Sequence, residues 1–302
     1  MFPTPHDGRR AFLSLAATAA LTLSMAACGS ESTGTGNSGP VSNASADTSL
    51  ADKVPADIKA AGKVTIGTDS SYAPNEFLDA DGKTVIGFDV DLFNAVAQKL
   101  GLTTSWQSAT FESIIPGVSS GKYNVGISSF TINAKREKEV TMISYFNVGT
   151  QWAAKTGVTI NPDDVCGKKI AVQTATVQVD DVNARSKKCT DAGKAKITVD
   201  QYQKQSDATN AVVTGKDEAM LADSPVIVYA VKQTNGQLAL VGDMYDAAPY
   251  GYAVAKGQTG LADAIVQAVK ALIADGTYKT ILDKWGVGAG AISTPAVNPP
   301  AS

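Results

Sequence analysis

Histidine is almost missing from this chain: among 302 residues there is one, His6. Beyond that position no Ser-His-Asp or Cys-His pair can form, and the common histidine-built zinc sites are excluded. Cysteine is nearly as scarce, at Cys28, Cys166 and Cys189, too few for a four-thiolate metal site. Arginine is scarce in a different way. Arg9, Arg10, Arg136 and Arg185 stand against 22 lysines, so a chain that otherwise chooses lysine chose arginine four times. No run of basic residues is present, which argues against nucleic acid as a partner.

Two of those arginines open the N-terminal segment. Arg9 and Arg10 precede the apolar run "AFLSLAATAALTLSMAA", which ends in small residues before Cys28. A charged stretch followed by a short apolar one is an export signal, too short and alanine-rich for a membrane span. "MAAC" at 25–28 looks like a bacterial lipobox, with Met25 where leucine is preferred, so Cys28 is the expected lipidation site and residues 1–28 the signal peptide. Ordinary cleavage nearby is the alternative. "GRRAFLSL" also resembles a twin-arginine export signal. Residues 29–54 are rich in Gly, Ser and Thr and read as a flexible linker. Loss of residues 1–28 removes Asp7, Arg9 and Arg10, leaving 24 basic against 28 acidic residues, so the net charge moves from −3 to −4.

Export also fixes the reading of the other two cysteines. Cys166 and Cys189 are an even pair in an oxidising compartment, and a structural disulfide is expected.

From Gly62 onward strands alternate with helices: "KVTIGT" (63–68), helix 89–101, "YNVGISSF", "KKIAVQ", "AKITVDQY" (195–202), "EAMLAD" (218–223), "YGYAVAK" (250–256), and helices over 261–276 and 278–286. The fold class is α/β, with parallel sheets covered on both faces. The tail 291–302, ending "TPAVNPPAS", reads as disordered. Polar clusters fall at the carboxyl ends of strands: "DSSY" (69–72), "SSFT" (128–131), "QTAT" (173–176) and Asp223. Helix capping would explain any one of them, but four on one side of the strands point to a ligand site.

The stretches "VTIGTDSSYAPNEF", "DGKTVIGFDVDLFNAVAQKLG", "FESIIPGVSSGKYNVGISSFTINAKREKEV", "CGKKIAVQTATVQ", "GKDEAMLAD" and "LIADGTYKTILDKWG" resemble, in order and spacing, the polar amino-acid-binding class of solute-binding lipoproteins of bacterial ABC importers. The resemblance implies a two-lobed, periplasmic-binding-protein-like (type II) fold, each lobe a sheet flanked by helices. Lobe 1 would combine 55–148 with 248–290 and lobe 2 would span 154–245, with hinges near 149–153 and 246–250. It implies no enzyme activity and no cofactor or metal. The partners would be a polar amino acid, the permease subunits of the importer and the membrane, reached through the N-terminal lipid, with the protein a monomer.

Carried over residue by residue, Arg136 would clamp the ligand α-carboxylate, with Ser128, Ser129, Thr131 and Thr176 around it. Asp223 would receive the α-ammonium, Tyr72 and Phe111 would sandwich the side chain, and Asp69 would meet its distal end. Bland alternatives stand beside these: a solvated Arg136 paired with Glu137 or Glu139, Asp223 as a helix N-cap, and Phe111 as core. Asn75 departs from the family's usual Phe, and Thr174 and Ala175 replace a more usual Gly-Thr pairing. Glu76 either adds charge to the cleft mouth or faces solvent. The acidic Asp69 and Asp223 favour a basic amino acid or glutamine as ligand. Two other functions use the same fold, a dehydratase of prephenate-like acids, with Asp69 or Glu76 as acid, and a sensory binding protein.

Overall fold

The computed structural model describes residues 45–300. The expected signal peptide, lipidation at Cys28 and most of the linker lie outside them. The chain opens with two short helices, α1 (Thr48–Ala51) and α2 (Ala56–Ala61). Strand β1 (Lys63–Thr68) follows, then three short strands that pair with one another, β2 (Ser71–Tyr72), β3 (Glu76–Leu78) and β4 (Val85–Ile86). Helix α3 (Phe88–Lys99), β5 (Thr103–Ser108), α4 (Phe111–Ser119), β6 (Val125–Gly126) and α5 (Ala134–Glu139) lead into the long strand β7 (Val140–Lys155). Then come β8 (Lys169–Gln173), α6 (Val177–Asp191), β9 (Thr198–Tyr202), α7 (Gln205–Thr214), β10 (Ala219–Asp223) and α8 (Ser224–Gln233). A second long strand, β11 (Leu238–Ala255), precedes α9 (Thr259–Ala274) and α10 (Thr277–Trp285).

One eight-stranded sheet results, in the order β5-β1-β6-β11-β7-β10-β8-β9. Its two wings are parallel, as the βαβ alternation requires: β1 with β5 and β6, and β8 with β9 and β10. The middle is antiparallel, because β7 and β11 pair along their length from Val140↔Ala255 to Lys155↔Leu238. The expectation of purely parallel sheets is corrected by these two strands, which are long enough to serve both wings. Register shifts interrupt their pairing between Val241 and Tyr245, between Tyr245 and Ala248, and between Tyr250 and Gly251.

Successive strand residues face opposite sides, so each wing feeds two cores. In the β8–β10 wing, Ile170, Val172, Ala219 and Leu221 join Trp152 on one face, while Ala171, Met220 and Ala222 join α7 and α8 on the other. In the β1 wing, Val64, Ile66, Tyr252 and Val254 pack with α3, α9 and α10, while Ala253 meets α4. This is why the strands read as near-continuous apolar runs.

Two boundaries differ from the sequence reading. The end of the supposed linker folds: Asp47 caps α1 by accepting from Ser49 and Leu50 N–H, and Leu50 and Val54 are buried in the first core. The tail is ordered as well. Val297 bridges Ile143, Ser144 N–H donates to Ala296 O at 2.9 Å, and Asn298 N–H donates to Met142 O at 2.7 Å. Here β7 has β11 on one side only, and the tail covers the backbone groups left on its other edge.

Cys166 and Cys189 form the expected disulfide, which closes a 23-residue separation between the start of β8 and the end of α6. Cys189 is buried in the wing's core. Replacing both by serine is expected to lower unfolding free energy by about 3 kcal/mol. Urea titration measures that loss, and because the bond lies away from the carboxyl ends of the strands, ligand affinity should be unchanged.

Candidate functional site

The polar clusters converge. Asp69 follows β1, Ser128 to Thr131 follow β6, Gln173 to Thr176 join β8 to α6, and Asp223 ends β10. Tyr72 from β2, Ser128, Ser129, Thr131, Arg136 from α5, Gln173, Thr176 and Asp223 line one narrow cavity between the wings, and Asp69 lies beside it, bonded to Gln173. The ends of parallel strands are where an α/β sheet offers free loops and helix N-termini to a ligand.

Arg136 is placed by local chemistry. Asn133 caps α5 by accepting from the Arg136 N–H at 2.9 Å, which sets the arginine in the first turn. From there its side chain turns back, Nη1 donating to Thr131 O at 2.7 Å and Nη2 to Ala175 O at 3.5 Å. The guanidinium carbon lies 5.4 Å from the Phe111 ring centre and 5.3 Å from that of Phe130. Among the described residues no carboxylate lies within ion-pair distance of it, so pairing with Glu137 or Glu139 is not its role. Burial leaves Arg136 9% exposed and pulls its pKa down to about 10, against the raising influence of Asp223, so it is a cation at neutral pH. A guanidinium has five N–H donors, and these contacts use two.

Asp223 supplies the opposite charge. It stands at the N-cap position of α8, yet its side chain makes no cap bond. Instead Oδ2 accepts from Tyr72 OH at 2.9 Å and Tyr250 OH at 2.7 Å, and Oδ1 accepts from Gln178 Nε2 at 2.8 Å. Burial raises its pKa, opposed by those three donors and by Arg136. Asp69 is buried too. Its carboxylate accepts from Ser71 N–H and Oγ and, across the cleft, from Gln173 Nε2 at 2.7 Å, and burial raises its pKa against these bonds.

Other expected residues lie at the cavity with altered roles. Phe111 is stacked on Phe130 with ring centres 4.8 Å apart, so it is core and a support for Arg136 at once. Tyr72 packs among the side chains of the other wing. Thr176 opens α6, and its hydroxyl donates to Gln173 O at 2.7 Å. The serine hydroxyls, expected to face a ligand carboxylate, are engaged behind the cavity wall. Ser128 Oγ accepts from Asp69 N–H and lies 3.3 Å from Glu76 Oε1; Ser129 Oγ accepts from Asn75 Nδ2 and lies 3.1 Å from Glu76 Oε2. Glu76 is fully buried there, neither at the cleft mouth nor in solvent, and out of reach as a general acid for a cleft substrate.

Ser129 (φ +53°) and Ala175 (φ +63°) both hold left-handed backbone without being glycine. Such residues cost on the order of 1 kcal/mol each and persist where surrounding structure imposes them, here on either side of Arg136. Gln173, Gln178 and Tyr250 were missed. Gln173 stood inside the quoted "QTAT" cluster and Tyr250 at the start of "YGYAVAK", but nothing in one sequence separates a tyrosine that bonds a carboxylate from one that only packs.

The cavity has about 10 Å³ of free space, room for about one water. A ligand larger than that enters only when the Tyr72–Asp223 and Asp69–Gln173 bonds across the cleft open. A buried cation and a buried anion facing one cavity match a zwitterion. Among the described residues no helix is long and apolar enough to cross a membrane.

The arginine-binding protein ArgT of Corynebacterium glutamicum is 37% identical over 248 residues, 81% of each chain. The L-arginine-binding protein of Pseudomonas aeruginosa is 31% identical, covering 74% of this chain and 87% of its own length. A solved ancestral arginine-binding protein bound to arginine superposes with a TM-score of 0.69 at 33% identity, over 74% of this chain and 98% of that one. Residues 64–288, the stretch that builds both wings and every cavity residue, match the bacterial extracellular solute-binding proteins of family 3, and the chain belongs to that family.

Proposed function

We propose that this protein captures a free L-amino acid with a basic end, arginine first, outside the cytoplasmic membrane and hands it to the permease of an ABC importer. The observation that carries this reading is Arg136, a buried guanidinium with no carboxylate partner among the described residues, sharing a cavity with Asp223. Its planar fork fits both oxygens of an α-carboxylate, a bidentate contact that lysine cannot make. Asp223 takes the α-ammonium in place of the Tyr72 hydroxyl. Asp69 takes the basic end of the side chain, in place of Gln173. The relatives named for arginine support this choice of ligand. Residues 55–148 with 248–290 act as one lobe and 154–245 as the other, and they separate and close about 149–153 and 246–250. Lipid on Cys28 would hold the protein at the outer face of the membrane. No bond of the ligand is made or broken.

A thermal-shift screen with each of the twenty amino acids tests this. A ligand at about one hundred times its Kd stabilises the native state by about 2.7 kcal/mol. Arginine should raise the melting temperature most, lysine or glutamine less, and glutamate not at all. A panel in which no amino acid moves the transition would sink the reading.

A further inference from the structure

Two buried acids lie behind the site. Glu76, at the start of β3, and Asp89, in the first turn of α3, are both 0% exposed, and both carboxyls reach the same hydroxyl. Ser129 Oγ lies 3.1 Å from Glu76 Oε2 and 3.3 Å from Asp89 Oδ2, but a hydroxyl has one proton to give. Tyr145 OH donates to Asp89 Oδ2 at 2.5 Å, while Asp89 Oδ1 is buried with no donor.

The groups that face the pair bring no positive charge. They are Asp69 after β1, Tyr72 on β2, Tyr145 on β7, Tyr250 and Tyr252 on β11 and Tyr278 on α10. Neither carboxyl has a lysine or arginine within ion-pair distance among the described residues. Two ionised carboxylates around one hydroxyl, out of water and without a cation, are strongly disfavoured, so one proton stays. The site wall is tied directly to the pair: Ser128 contacts Glu76, and Ser129, held in its left-handed conformation, contacts both carboxyls.

We infer that Glu76 and Asp89 are positioning residues of the amino-acid site, holding one shared proton that fixes Ser128 and Ser129 and limits the negative charge beneath the ligand's carboxylate. This deepens the amino-acid reading and rests on it for the ligand. Burial raises both carboxyls, Asp89 to about 7 and Glu76 well above its ordinary value, so Glu76 keeps the proton while Asp89 ionises near neutral pH. Each negative charge the pair gains lies behind a subsite that takes an anion, so affinity falls as pH rises through neutral.

The test combines a measurement without ligand and one with it. Isotope-edited infrared spectra of the empty protein, with labelled glutamate and aspartate, report protonated carboxyls. Wild type should show a protonated glutamate carboxyl at pH 7 that disappears in Glu76→Gln and persists in Asp89→Asn. Calorimetric titration with L-arginine should show Kd rising about tenfold in wild type from about pH 6 to about pH 8.5. In Glu76→Gln the rise should shrink to about threefold or less, because an amide donates without titrating. Titration of the ligand's own amine is common to both proteins and cancels in the comparison. Asp89→Asn repeats the test from the other side should Glu76→Gln fold poorly. Absence of the protonated signal from wild type, or parallel pH profiles in wild type and variants, would overturn the inference. If the signal is present but no amino acid binds at any pH, the amino-acid reading fails and the shared proton stands.

Discussion

Arg136→Lys is expected to weaken amino-acid binding by about a thousandfold, or about 4 kcal/mol, while leaving the empty protein folded. The two parts follow from different contacts. In the empty protein Arg136 gives one short bond to Thr131 O and one long one to Ala175 O, and lies over two rings. Among the described residues it forms no ion pair that could be lost, and burying its charge is itself unfavourable, in line with its lowered pKa. Lysine can reach the same carbonyl, so unfolding free energy should change by about 1 kcal/mol or less. In the complex the loss is large, because an ammonium offers one point of charge where the carboxylate needs a fork held against Phe111 and Phe130. Calorimetry and denaturant titration on the same preparation separate the two effects. An empty variant that unfolds, or one that binds as wild type does, would remove Arg136 from the role assigned to it.

Asp223→Asn should cost nearly as much, roughly one hundredfold or more in affinity, for the complementary reason. Asparagine can still accept from Tyr72 and Tyr250, and Gln178 must turn its amide so that its oxygen accepts from the new NH2; the wall of the site then keeps its shape, and the charge that receives the α-ammonium is gone. The same change should not destabilise the empty protein at neutral pH. Asp223 has a raised pKa in the fold, with burial the main cause. A carboxyl raised above its unfolded value binds more protons in the native state, so its contribution to stability falls as pH climbs from the unfolded pKa through the folded one. A neutral amide has no such loss, and the variant's stability should decline less with pH across that window. A deaminated analogue, with the carboxylate and side chain but no α-amine, should bind wild type and Asp223→Asn with similar affinity. If the variant loses that analogue as strongly as the full amino acid, Asp223 holds up the site instead of contacting the ammonium.

What a single sequence made legible follows from how local each signal is. The strand β1 and the helices α3, α9 and α10 were readable because their apolar spacing and end residues are local, with Gly101 following the last turn of α3. The clusters after β1, β6 and β8 were visible as polar residues at strand ends, and they do converge. The full length of β11 was not. Its first half, "LALVGDMYDAAP", carries Gly, Asp and Pro where the pairing is broken by register shifts, and only the partner β7 makes it a strand. The tail after Ala291 looks like free chain because its order comes from an open sheet edge, which no local pattern announces. Glu76 shows the limit most sharply. An acid beside Pro74 and Asn75 reads as surface, and it is buried only because Asp89, Ser128 and Ser129 arrive from other elements to receive it. The second partners of the serine hydroxyls, Glu76 and Asp89, were hidden for the same reason, since they lie behind them in space.

The central claim is that Arg136 and Asp223 read the two charges of a zwitterion, and one paired measurement addresses it most directly. Purified protein is titrated calorimetrically with L-arginine and with agmatine, which keeps the guanidinium side chain and the amine but has no carboxylate. The account predicts saturable binding of L-arginine and agmatine weaker by about a thousandfold, since the buried guanidinium of Arg136 would then close on nothing. Equal affinity for the two compounds would contradict it.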